Sequence, residues 1–176
     1  MSFRNLKLKT RLIIVLLVVG LVFIIIMLGY STVEQSLDTG FRVKDINSDL
    51  LVAAREGHTD TVKTLLDNGA DVNSKRDRDG STALILASMA GHIDTIRLLL
   101  DKNADVNAKN NDDRTALMHA AKEEYTYIVQ ALLDKGADVN TEDKYGKTAL
   151  MYAAERGNTE TVNLLKQAGA AEFGVI

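Results

Sequence analysis

Residues 80–107 read GSTALILASMAGHIDTIRLLLDKNADVN, and the stretch recurs along the chain. Thr82-Ala83-Leu84 returns as Thr115-Ala116-Leu117 and Thr148-Ala149-Leu150, at a spacing of 33. Ala70-Asp71-Val72-Asn73 returns at residues 104–107 and 137–140. Gly57-His58 matches Gly91-His92 and, in part, Gly157-Asn158. The pair Leu65-Leu66 matches Leu99-Leu100 and Leu132-Leu133. A period of this size means stacked supersecondary units, each burying its apolar face on the next.

Each recurring residue type has a physical job. Thr accepts from the free N–H groups at the start of a first helix. Small Ala at 53/54, 87, 120/121 and 153/154 lets neighbouring helices approach closely. Gly57, Gly91 and Gly157 suit a left-handed turn between two helices. Val62, Leu65 and Leu66, with their equivalents, form the apolar face of a second helix. Gly69, Asn103, Gly136 and Gly169 end it. Asp-Val-Asn then leads into a projecting finger.

A 33-residue period carrying T-x-L, G-H, L-L and A-D-V-N resembles the ankyrin-repeat family. The resemblance covers residues 44–173 and implies an all-α solenoid of four helix-turn-helix repeats, at 44–73, 74–107, 108–140 and 141–173. The extra residue of the 34-residue spacing is expected in the finger at 74–79, where insertion is cheap. Asp49, Lys166 and Glu172 replace apolar residues of the other repeats, so the outer repeats read as caps. Phe173, Val175 and Ile176 are expected to fold over the last helix pair. The chain departs from the family at three features. The family's T-P-L-H reads T-A-L-I or T-A-L-M, which loosens the helix starts. Glu124 stands at a Gly position, and Asp113 at a finger Gly position. The third repeat is therefore expected to be the most distorted.

Ahead of the array, Leu12 to Leu28 is an unbroken apolar run, LIIVLLVVGLVFIIIML. Residues 12–30 reach roughly 28 Å as a helix, about the thickness of a bilayer core, and Tyr30 falls where an interfacial aromatic sits. Residues 1–11 hold Arg4, Lys7, Lys9 and Arg11 and no acid. The bias places the N-terminus in the cytoplasm and the array, periplasmic in a Gram-negative cell, outside it. The reading is a basic tail (1–11), a transmembrane signal anchor (12–30), a linker (31–43), the array and a tail (174–176). A cleaved signal peptide is the alternative, with Gly29-Tyr30-Ser31 as the candidate site. The opening segment also resembles the first membrane helix of bacterial chemoreceptors, which implies the same orientation and a bacterial source.

Composition excludes several classes. With 21 basic against 24 acidic residues, no basic nucleic-acid footprint exists. Past the four N-terminal bases, 17 basic face 24 acidic residues, a net −7. The absence of Cys removes disulfides, thiol nucleophiles and Cys-based zinc sites. The mean hydropathy of −0.03 averages an apolar run with a polar array. No catalytic constellation, phosphate loop or metal motif appears, so neither an enzyme nor a cofactor nor a small-molecule substrate is expected. The recurrence of His58 and His92 points to structural hydrogen bonding. His119 replaces Leu86 of the previous repeat and stands in register with Tyr152.

The family resemblance implies that fingers and first helices line a concave groove for a protein partner. Carried across by position, the groove residues are Arg78, Asp79, Met89, Asn111, Asp112, Arg114, Lys122, Lys144, Tyr145, Lys147 and Arg156. Arg55, Glu56, Ser81, Glu123 and Glu155 flank them. Tyr145, Arg156, Arg78 and Met89 are the expected anchors, because Tyr, Arg and Met are enriched in interfaces. The expected function is a membrane-anchored binding scaffold. Two other classes stay open: a sensor accessory with a chemoreceptor-like anchor, and an inhibitory or protective partner of a secreted enzyme.

Overall fold

A computed structural model describes residues 45–171. The basic tail, the apolar run, the whole linker, Glu172, Phe173 and the closing tail lie outside the described residues. Among the described residues there are eight helices, in four pairs. They are α1 (Ile46–Glu56) and α2 (Thr59–Asp67), α3 (Ala83–Ala90) and α4 (Ile93–Asp101), α5 (Ala116–Lys122) and α6 (Thr126–Asp134), and α7 (Ala149–Arg156) and α8 (Thr159–Gln167). None of them is long and apolar enough to cross a membrane.

The capping Thr residues act as their positions require. Thr82, Thr115 and Thr148 keep extended backbone and accept from the N–H of Ile85, Met118 and Met151, each at 3.4 Å. These bonds are long, but the caps form without the family's Pro and His. In the first pair, α1 begins three residues earlier than the repeat register predicts, and Asp45 caps it by accepting from Asn47 N–H.

First helices pack on first helices and second on second. Ala54, Ala87, Ala120 and Ala153 have no exposed surface, which is why the first helices can lie close. The second helices leave grooves between them. Val62, Ile96, Leu99, Ile128, Val129, Leu132 and Leu165 fill the space between the rows. Burying one such side chain stabilises by about 1.5–3 kcal/mol.

Side-chain ladders tie successive pairs. Asn73, Asn107 and Asn140 each accept from a backbone N–H of the next unit, at Asp105, Asp138 and Ala171, and Asn47 accepts from Asp71 N–H within the first unit, all at 2.8 Å. Lys102 reaches back to Asp67 at 2.6 Å, and Lys135 to Asp101 at 2.9 Å. The His92 ring donates from Nε2–H to the Arg55 carbonyl at 3.0 Å, the structural role read from the recurring G-H step. His58 lies in the first described pair, has no earlier loop among the described residues to reach, and is exposed, with Glu56 at 3.5 Å.

Glu124 keeps the left-handed angle of the glycines it replaces, φ 64 against 72 at Gly157. A Cβ there is strained by about 1 kcal/mol. Helix α5 is correspondingly one residue shorter at its C-terminal end than α3 or α7. Asn103 and Asp113 also take positive φ, 63 and 58, at the other substituted glycine positions.

Candidate partner-binding surface

The fingers are closed by short polar turns. Asn110 accepts from the N–H of Asp112 and Arg114, both at 3.0 Å. Asp143, 33 residues later, accepts from Tyr145 at 2.9 Å and Lys147 at 3.0 Å. The equivalent residue of the second repeat is Arg76, which cannot accept. There the loop is one residue longer, the insertion expected from the 34-residue spacing, and Asp79 takes over. It accepts from Ser81 N–H at 3.1 Å and from Arg76 Nε at 2.9 Å, and pairs with the Arg76 Nη2. The bond from Arg76 is the main reason its carboxyl lies well below the usual range. Neighbouring fingers join through Asn111 N–H to the Asp79 carbonyl (2.8 Å) and Lys144 N–H to the Asp112 carbonyl (3.1 Å).

The third and fourth fingers share a charged hub. The side chain of Asp143 is wholly buried. Besides the two backbone bonds it accepts from Tyr152 OH at 2.6 Å and Arg114 Nε at 3.2 Å. Burial raises its pKa, but the bonds from Tyr152, the two N–H groups and Arg114 outweigh burial and hold the carboxyl below its ordinary value. Arg114 thereby lies 5.6 Å from the ring centre of Tyr145 and 5.8 Å from that of Tyr152. Lys147 Nζ lies 5.4 Å from the Tyr152 ring and bonds Glu155 at 2.6 Å. Arg156 Nε donates to the Lys122 carbonyl at 2.9 Å.

Of the residues read from sequence, Arg78, Met89, Asn111, Lys144, Tyr145 and Arg156 are exposed. Asp79, Asp112, Arg114, Lys122 and Lys147 are half-buried. Tyr145 is 69% exposed and Met89 42%. Asp79 and Arg114 spend their bonds inside the chain, so their first effect is to shape the fingers. Ser81, expected in the groove, is buried, with no hydrogen-bond partner for its Oγ. Its short side chain ends beneath the finger, where Arg114 and Lys147 at the same register extend outward.

Register also aligns Val52, Leu86, His119 and Tyr152 along the first helices. Val52 is exposed and the other three are buried. A small cleft of about 80 Å³ lies among Ser48, Leu51, Val52, Arg55, Arg76 and Leu86. His119 is 7% exposed and its Nε2 has no partner. Burial chiefly, helped by the positive charges of Arg114 and Lys122, lowers its pKa to about 4.

Sequence reading missed Asp143. Its signal was the five-residue interval to Thr148, the same as from Asn110 to Thr115. Among the described residues no three His, Asp or Glu side chains converge as metal ligands. A family model described as ankyrin repeats (3 copies) matches residues 23–110, 50–143 and 108–174. No curated protein matches the chain.

Proposed function

The chain belongs to the ankyrin-repeat family, a fold of protein–protein interaction scaffolds, and from that premise we propose that it binds its protein partner through the fingers and first helices of its third and fourth repeats. The observation that carries this reading is the hub at Asp143. A wholly buried carboxylate fixes the Arg114 guanidinium beside Tyr145, leaving the Tyr145 ring 69% exposed. A prefixed aromatic next to a cation loses little freedom on binding, the character of an interface hot spot. Lys147 belongs to the same finger, its Nζ 5.4 Å from the Tyr152 ring centre.

The apolar run at 12–30 and the basic residues before it support a membrane anchor with its N-terminus in the cytoplasm and the array outside. The opening residues' likeness to a chemoreceptor membrane helix supports the same orientation and a bacterial source.

Affinity capture from membranes with the full chain as bait tests the binding reading. A partner retained by the native chain and lost with Tyr145→Ala plus Arg156→Ala, folding intact, supports it. Equal retention by both baits overturns it. Reporter fusions at the C-terminus test orientation: activity of a reporter that works only in the cytoplasm would sink the anchor topology.

A further inference from the structure

Ser81 Oγ and His119 Nε2 are enclosed and have no partner in the chain. Ser81 is 1% exposed and His119 7%. They come from different repeats, and the hub at Asp143 shows that they share one place in the register. Asp143 Oδ1 accepts from two N–H groups of its own finger. Its Oδ2 accepts from Arg114 Nε of the previous finger and from Tyr152 OH of α7. Moved back by 33 residues, Asp143, Arg114 and Tyr152 become Asn110, Ser81 and His119. Asn110 Oδ1 makes the same two backbone bonds as Asp143 Oδ1. Asn110 Nδ2 therefore takes the place of Asp143 Oδ2, turned towards Ser81 and His119. The backbones line up alike at both boundaries, since Asn111 N–H meets the Asp79 carbonyl as Lys144 N–H meets that of Asp112.

Ser and His are shorter than Arg and Tyr, so Ser81 and His119 stop short of the finger residue that Arg114 and Tyr152 reach. The boundary between the first two repeats shows what short side chains leave here. There the three positions hold Ser48, Arg76 and Leu86, and all three line one cleft of about 80 Å³. Leu51 and Val52 complete its apolar wall. Their register mates at the next boundary are Ile85 and Leu86, both buried.

We propose that Asn110, Ser81 and His119 bind one water molecule between the second and third fingers. A water needs about 30 Å³ and makes about three hydrogen bonds in a protein interior. Asn110 Nδ2 donates to it, and Ser81 Oγ and His119 Nε2, each able to donate or accept, complete the three. A donor-only amide nitrogen is no ligand for a metal cation. Arg114 and Lys122 act on His119 against Asp79 and Asp112, so charges of both signs surround the site and neither selects an ion. The water joins the previous finger, the third finger and α5, as Arg114 and Tyr152 join the corresponding parts one repeat later. Its bonds offset part of the cost of burying the His119 ring.

A crystal structure of the full chain in detergent at neutral pH, at a resolution that shows ordered water, tests this. One isolated peak is expected within about 3.2 Å of Asn110 Nδ2, Ser81 Oγ and His119 Nε2. A bromide soak separates water from an anion, and no anomalous signal is expected at the peak. Ser81→Arg, Asn110→Asp and His119→Tyr together rebuild the Asp143 hub one repeat earlier. In that variant, its folding checked by circular dichroism, the peak should be lost and the introduced side chains should fill its place. Should the triple variant not fold, His119→Tyr alone is the second variant, and its hydroxyl should displace the water. A direct bond between Ser81 and His119, a dry site, or bromide at the peak would overturn the proposal. So would water that persists among the introduced side chains.

Discussion

The second and third repeats share a backbone path and differ in what their side chains do along it. In the second, Leu86 fills the core between the first helices, Gly91 makes the turn, and His92 bonds back to the Arg55 carbonyl at 3.0 Å. In the third, His119 sits in that core with an unpaired nitrogen, Glu124 makes the turn under strain, and Tyr125 leans on Gly91. The third repeat keeps its place because its neighbours hold it. Asn107 bonds across to Asp138 N–H, Lys135 grips Asp101, and Thr126 and Thr161 share a hydrogen bond at 2.8 Å. In a solenoid the interfaces between units carry stability that one unit alone lacks. Local rules can thus be broken in one repeat at an affordable total cost.

That comparison can be broken at its boundary with the fourth repeat, where the effect should be largest. Asp143→Ala leaves Tyr152, Arg114 and two backbone N–H groups without their acceptor, and should destabilise by roughly 3–5 kcal/mol. Asp143→Asn should cost less, since Asn110 closes the third finger with the same two backbone bonds. Urea unfolding of both variants checks the order.

Acid should act through His119. Its folded pKa of about 4 lies below the ordinary 6.5, so the unfolded chain binds the extra proton. Stability from this group is therefore complete above pH 6.5 and falls as pH drops towards 4, by up to about 3 kcal/mol. His119→Leu restores the residue of the second repeat. It should abolish this part of the acid dependence and stabilise the neutral-pH fold by about 1–3 kcal/mol. Unfolding curves of both proteins between pH 7 and 4 make the comparison. Parallel acid losses would show that His119 contributes nothing.

The smallest change is at the turn. Glu124→Gly should stabilise by about 1 kcal/mol, and Gly157→Glu should destabilise by a similar amount. Thermal melts in opposite directions are the expected result.

The period in the sequence was enough to place the capping Thr residues, the buried Ala rows, the extra finger residue and the positive φ at Asn103, Asp113 and Glu124. These are properties of one position in one repeat, and a 33-residue register displays them directly. Asp143 was not legible because its partners come from three places: its own finger, Arg114 of the previous one and Tyr152 of α7. Among 24 acidic residues its one mark is the five-residue interval to Thr148. The burial of Ser81 and the capture of Asp79 by Arg76 escaped for a related reason, since side-chain length and direction decide them, not periodicity.

The central claim is that the Tyr145 finger, held by Asp143, is where a protein partner binds. The most direct measurement compares partner retention by the native full chain, by Tyr145→Ala and by Asp60→Ala on the opposite row of helices. Retention should fall at least tenfold for Tyr145→Ala and stay unchanged for Asp60→Ala. Unchanged retention by a folded Tyr145→Ala chain would contradict the account.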